Sequence, residues 1–213
     1  MSISLPDRIY AELKSQILSH KLIPASSLKI DALSQKLHAS TIPVREALAR
    51  LCAEGLVVQE NRQGFTVRPI TPKLLEDDYR TLAAIMQVGA GEAAAGIAQR
   101  TTLNASHAAL ARMANSEFVD ELDEFLLSWV PSKRLAGLGA FCLLHCSYFF
   151  NLDFELRGEE GWRHFRRRRQ RSAVALQAGK GVTAQKLIAE ECEWRISNIP
   201  LVIREMLYRQ LSA

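Results

Sequence analysis

The chain has 213 residues, 48% of them hydrophobic and 23% charged, with a formal net charge of +4. That balance excludes a disordered chain, and the length predicts one large domain or two small ones. No uncharged apolar stretch approaches the roughly 18–20 residues needed to span a bilayer, and Met1 to Arg8 lacks a basic region followed by an apolar run, so a cytoplasmic protein without membrane contact is expected. The charge is unevenly placed. Residues 1–73 hold ten Lys/Arg and six Asp/Glu, whereas the rest holds 17 of each; the whole excess lies in the first third, as in a polyanion-binding head on a neutral body. Cys52, Cys142, Cys146 and Cys192 are expected as thiols, and Cys142 and Cys146 as buried core thiols, because Cys142, His145 and Cys146 do not have a usual zinc spacing.

In chain order, Leu5 to His20 reads as an amphipathic helix with Ile9, Leu13, Ile17 and Leu18 on one face. Pro24 marks a break. A short helix from about Lys29 to Leu37 follows, then a tight turn over His38, Ala39 and Ser40. A third helix runs from Thr41 to about Glu54. Ser40 is expected to cap it through its hydroxyl, Pro43 fits its first turn, and Gly55 ends it in the left-handed conformation. Val44, Ala47, Leu48 and Leu51 form its buried stripe, and Thr41, Ile42, Arg45 and Ala49 face outward. Two β-branched runs, 56–59 and 65–68, flank a polar loop and predict a hairpin, the only strong strand signal. Beyond the linker Pro69 to Pro72 the patterning is helical, with helices expected over 73–100, 104–114, 117–129, 133–151, 159–178 and 181–206. Gly158, Gly179 and Gly181 mark breaks, and Pro200 should kink or end the last helix. The fold class is therefore mainly α: a winged helix-turn-helix with a small β-hairpin over residues 1–70, and an all-α antiparallel helical bundle over residues 73–213.

A helix pair joined by a three-residue turn sets its second helix in the major groove, N-terminal residues at the base edges. Here that tip carries Ser40, Thr41, Pro43 and Arg45. Arg45 has the fork geometry to grip guanine O6 and N7 or to clamp a phosphate. Arg62, Gln63 and Gly64 of the hairpin loop are placed for the minor groove or the backbone, and Lys29 and Lys36 for phosphate contacts.

The stretch Ser40-Thr-Ile-Pro-Val-Arg45-Glu-Ala-Leu-Ala-Arg-Leu-Cys-Ala-Glu-Gly55-Leu-Val, followed by Arg62-Gln-Gly64-Phe-Thr-Val67, closely resembles the DNA-binding signature of the GntR superfamily of bacterial transcription regulators, over residues 8–70. The resemblance implies double-stranded DNA as the partner. Thr41 stands where that family usually has Arg, and His20, Ala25 and His38 stand where it often has Gly. The helical remainder resembles the ligand-binding domain of the FadR subfamily, known as the FCD type, on the segments Ala175 to Gly179 and Ala184 to Leu187. Many members of that subfamily hold a divalent metal on one Asp and three His. Two of those His positions fall here at Arg169 and Glu191, and the region around Asp120 to Leu127 offers Asp120, Asp123 and Glu124 but no His. The metal site of the subfamily reads as lost, so no metal or other cofactor is implied. Either Arg169 and Glu191 form an internal ion pair that closes the former site, or Arg169 binds an anionic effector, with Glu191, Asp123 and Glu124 around it. The effector class implied by the resemblance is a small organic acid or an acyl-thioester.

Arg163 to Arg171 packs six Arg into nine residues; on a helix these point in all directions and read first as a solvated face. Trp129, Trp162 and Trp194 are expected in the core or an interface. No Ser/His/Asp order, phosphate loop or zinc motif is present, and the chain does not read as an enzyme. The expected function is a sequence-specific transcription regulator, a small-molecule-responsive repressor that reads a palindromic operator as a homodimer. The alternatives are an effector-less winged-helix regulator and a protein-interaction module.

Overall fold

The computed structural model describes residues 4–19, 21–60, 64–98, 103–114 and 121–211. The chain divides into two compact units, one holding the residues up to Thr71 together with those from Arg209, the other running from Pro72 to Tyr208.

The first unit contains α1 (Leu5–Leu18), β1 (Ser27–Leu28), α2 (Ile30–Lys36), α3 (Thr41–Ala53), β2 (Val57–Glu60) and β3 (Gly64–Val67). Helix α1 starts where Ser4 Oγ accepts the Asp7 N–H at 3.3 Å, and Pro6 sits in its first turn. Its apolar stripe buries Ile9, Leu13 and Ile17 against α3. In α3, Val44, Ala47, Leu48 and Leu51 are completely buried, and each large apolar side chain so removed from water contributes roughly 1.5–3 kcal/mol. Gly55 follows α3 with φ +68°, and the Leu56 N–H closes back on the Leu51 carbonyl at 3.0 Å.

The hairpin β2–β3 gains a strand that the sequence does not announce. The sheet is antiparallel with order β1-β3-β2, and Ser27 lies opposite Thr66 and Leu28 opposite Phe65. Two residues are too short for an alternating pattern, so β1 exists only because β3 offers it a free edge. Ala25, just before it, has φ +62°, and His38 in the turn before α3 has φ +50°. Both non-glycine residues therefore carry the left-handed conformation that costs an L-residue about 1–2 kcal/mol.

The second unit is all-helical: α4 (Pro72–Ala98), α5 (Leu103–Ala114), α6 (Leu122–Ser128), α7 (Lys133–Gln177), α8 (Gly181–Ile196) and α9 (Ile199–Leu211), whose last residues group with the first unit. Helix α4 is the central element, packed on α6, α7 and α8. Its small buried residues Gly89, Ala90, Ala93 and Ala94 allow this, since a Cβ at Gly89 would run into the Leu126 carbonyl oxygen of α6. Helix α4 also corrects an expectation. It is long and apolar enough to cross a membrane by length and composition alone, and half of that apolar window is buried inside the protein. Its only charged residue between Arg80 and Ala98 is Glu92.

Three expected boundaries shift. The helix expected over 133–151 runs on to Gly158, where a kink with φ +64° and ψ −163° falls at the expected break and joins it to the next helix as one element, Lys133–Gln177; Leu152 and Phe154 between the two expected helices are buried. The helix expected over 117–129 is described only as α6, its first part lying outside the described residues. The last helix ends at Ile196, and Pro200 sits in the first turn of a new one, where its missing N–H leaves no gap. Cys142 and Cys146 are buried as expected, Cys192 is buried too, and Cys52 is half-buried. Burial pushes the Cys146 thiol up, and the Cys192 thiol to about 11.

Candidate nucleic-acid interface and a buried ion cluster

The apolar stripe of α3 decides what its opposite face presents. Ser40, Thr41, Ile42, Arg45, Glu46 and Ala49 are all exposed. Among the described residues no carboxylate pairs with Arg45. Two expectations at this tip are corrected. Ser40 occupies the N-cap position with extended backbone, yet its hydroxyl makes no capping hydrogen bond. Pro43 is buried: it fixes the first turn from inside, and the surface of the tip is Ser40, Thr41 and Arg45. The free Ser40 hydroxyl and the first-turn N–H groups are of the kind that phosphates accept from.

Lys29, exposed, stands at the N-cap of α2, and Lys36 is exposed at its end. Gly64 opens β3, half-buried, with φ +107° and open space around its α-carbon. Arg62 and Gln63 lie outside the described residues. Helix α3 is pinned to α1 by contacts the sequence did not disclose. Arg50 bonds Asp7 at 2.7 Å and lies over the Tyr10 ring at 4.0 Å, while the Tyr10 hydroxyl donates to Glu54, whose carboxylate also meets Lys14 at 2.9 Å. Hydrogen bonds from Ser4 and then Arg50 hold Asp7 below the usual carboxylate range. Only the i,i+3/i+4 spacing of Asp7, Tyr10 and Lys14 could have hinted at this face.

The second unit treats charge in the opposite way. Arg169 is 4% exposed. It grips Asp123 with both terminal nitrogens, NH2 to Oδ2 at 2.9 Å, and NH2 lies 2.9 Å from Glu191 Oε1. Burial works against the guanidinium charge, but Asp123 and Glu191 outweigh it and raise the Arg169 pKa. The expected Arg169–Glu191 pair is present, and Asp123 completes it. Glu124 is exposed and takes no part, since on α6 it points one residue's rotation away from Asp123.

Arg195, one turn beyond Glu191, was missed. It is 4% exposed, with Nε at 3.4 Å from Glu191 Oε1 and its guanidinium carbon 4.0 Å from the centre of the Phe150 ring. Among the described residues neither of its terminal nitrogens meets an acceptor in hydrogen-bonding geometry; the Asp153 carboxylate comes no nearer than 3.9 Å. Asp153 itself accepts from Arg157 Nε at 2.8 Å and from Asn198. Asp123, Phe150, Arg169, Glu191 and Arg195 enclose a cavity of about 30 Å³. A water molecule occupies roughly 30 Å³ in the liquid, whereas organic ligands are held in pockets of about 300–1,000 Å³.

The arginine run is not a uniform solvated face. Arg168 meets Glu190 at 3.3 Å and donates to His164 at 2.7 Å, and Arg169 points inward, while Arg163, Arg166, Arg167 and Arg171 are exposed. Trp162 is partly exposed and stacks on Phe154, ring centres 4.0 Å apart, with Arg166 at 5.7 Å.

Residues 5–67 match the model of the gntR family of bacterial regulatory proteins. An HTH-type transcriptional regulator of Paraburkholderia xenovorans named BphR is 36% identical over 81 residues, which are 38% of this chain and 31% of that protein. The match thus spans about a third of the length of this curated relative. Among solved structures, Escherichia coli McbR/YncC superposes with a TM-score of 0.67 at 18% identity, covering 96% of this chain and 99% of the other. A Rhodococcus sp. RHA1 protein described as a GntR transcriptional regulator superposes with a TM-score of 0.67 at 20% identity, covering 92% and 98%. At that identity the likeness concerns the fold.

Proposed function

We propose that the whole chain, whose residues 5–67 match the model of the gntR family, is a sequence-specific DNA-binding transcription regulator. It acts by binding rather than by catalysis, as a homodimer whose two α3 helices, related by a two-fold axis, read a palindromic operator and repress the adjacent gene. The observation that carries this reading is the tip of α3: its apolar stripe is fully buried, and Arg45 stands on the exposed face with no carboxylate partner among the described residues. An unpaired guanidinium at a helix tip is available for guanine or phosphate, and each good bidentate base contact is worth about 1–3 kcal/mol of discrimination. Ser40, Thr41, Lys29, Lys36, Gly64, Arg62 and Gln63 are assigned backbone and groove contacts around it. The test is fluorescence anisotropy with the duplex upstream of the protein's own gene against a scrambled duplex. Arg45→Ala should weaken binding to the upstream duplex by roughly 10- to 100-fold with an unaltered melting temperature, and equal affinity of both proteins for it removes Arg45 from the interface. Sedimentation of the complex gives the number of chains per duplex.

A specific observation favours a regulator without an organic effector in its helical unit. Both terminal nitrogens of Arg169 are held by Asp123 and Glu191, while its Nε has no acceptor among the described residues, and the cavity beside it, about 30 Å³, is far smaller than the pockets that hold organic ligands. An anionic effector at this place must displace those carboxylates or use the open donors of Arg195, and must enlarge the cavity about tenfold. Thermal-shift measurements with small carboxylates and acyl-thioesters decide: stabilisation that disappears in Arg195→Met restores an effector, and none in a protein that still binds its operator leaves the effector-less regulator.

A further inference from the structure

We infer that the helical unit carries a DNA contact of its own, a ridge of Arg163, Arg167 and Arg171 that grips the phosphodiester backbone of duplex DNA independently of the bases read by α3. This rests on the DNA-binding reading above only for the identity of the polyanion at hand.

These three arginines lie four residues apart on α7, one above another on one helix face and about 6 Å apart along the axis. All three are exposed, and among the described residues none has an ion-pair partner. The rest of the run is spoken for: Arg168 by Glu190 and His164, Arg169 by Asp123 and Glu191, Arg166 by the Trp162 ring. Arg167 and Arg171 also line an open groove of about 580 Å³, to which Lys180 and Thr183 contribute from the start of α8 and whose wall holds no carboxylate among the described residues.

The ridge is a local concentration, because residues 74–213 hold equal numbers of acidic and basic residues. Like charges at i,i+4 repel and disfavour the helix, so the row does nothing for folding. An external polyanion removes that repulsion. Three guanidiniums spread over about 12 Å of helix suit an extended chain of phosphates better than a single one, and arginine's weakly hydrated planar fork suits phosphate oxygens. Phosphate contacts of this kind add affinity without sequence preference and make it salt-dependent.

The test is a salt titration of the full chain on an operator duplex extended by flanking sequence, comparing wild type, the Arg163→Ala/Arg167→Ala/Arg171→Ala triple, the corresponding triple Lys variant, and Arg45→Ala. The Ala triple should lower the slope of log affinity against log salt by about 2–3, at roughly 0.9 for each phosphate no longer gripped, with operator preference retained; the Lys triple should keep the wild-type slope. Single Arg→Gln variants, each lowering the slope by about 0.9, serve if the triple does not fold. An Ala triple with wild-type slope overturns the inference. So does loss of binding to phosphatidylglycerol vesicles or to inorganic pyrophosphate in the triple while the DNA slope stands, which assigns the ridge to a membrane or to a small phosphate ligand. The two readings fail separately: a neutral Arg45→Ala with a reduced slope in the triple removes the α3 interface and keeps the ridge.

Discussion

Arg45 and Arg169 are the same residue on two amphipathic helices, and the two units use them in opposite ways. In the head, charge stays outside: the core of α1, α3 and the sheet is apolar, and polar contacts such as Arg50 with Asp7 lie at the surface. Arg45 is left in water with no carboxylate partner among the described residues. In the helical unit, Asp123, Asp153, Glu191, Arg169 and Arg195 are all buried, and Arg169 is paired with two carboxylates. A guanidinium that water already solvates can exchange that water for an external anion at little cost, whereas one held by two buried carboxylates cannot leave them without stranding two charges. The contrast separates a guanidinium left on the surface from an ion cluster enclosed in the interior.

The sharpest way to break the contrast is Arg169→Ala. It leaves Asp123 buried without a cation and Glu191 with Arg195 alone, and should cost about 3–5 kcal/mol in urea unfolding, while the triple Arg169→Met/Asp123→Leu/Glu191→Leu should recover most of the loss. A neutral Arg169→Ala would mean that solvent reaches the cluster and that its closure is not structural. Next in size is Gly89→Ala. The added methyl meets the Leu126 carbonyl of α6, and the gain in helix propensity, about 1 kcal/mol, is outweighed by the displacement of backbone, for a net loss of about 1–2 kcal/mol. The smallest effect has the opposite sign and lies in the head. Ala25→Gly relieves the positive φ before β1 and should stabilise by up to about 1 kcal/mol, since the roughly 1–2 kcal/mol of relieved strain exceeds the added entropy of an unfolded glycine. A rise in melting temperature with unaltered DNA affinity is expected, and a fall would place the strain elsewhere.

Much of the head was legible because its signals are local. The stripe Val44, Ala47, Leu48 and Leu51 follows from periodicity, Gly55 from the need for a left-handed residue after a helix, and the exposure of Arg45 from the stripe itself. What failed there depended on competition between neighbours: the Ser40 hydroxyl turned away from the N–H groups it was expected to cap, Pro43 went inside, and β1 formed only on an edge supplied much later in the chain, where Leu28 meets Phe65. In the helical unit the number and rough places of the helices were readable, and Arg169 with Glu191 was readable through the resemblance. Arg195 was not, since nothing in the run Glu190 to Ile196 distinguishes a buried arginine from an exposed one.

The sequence by itself determined which residues face the core of each helix and which positions break it, because periodicity, proline and glycine act within one turn of the chain. Only the tertiary structure decided which charges are inside and who neutralises them. Asp123 and Arg169 are 46 residues apart, and whether such a pair meets depends on how three helices pack, a property that no single turn encodes.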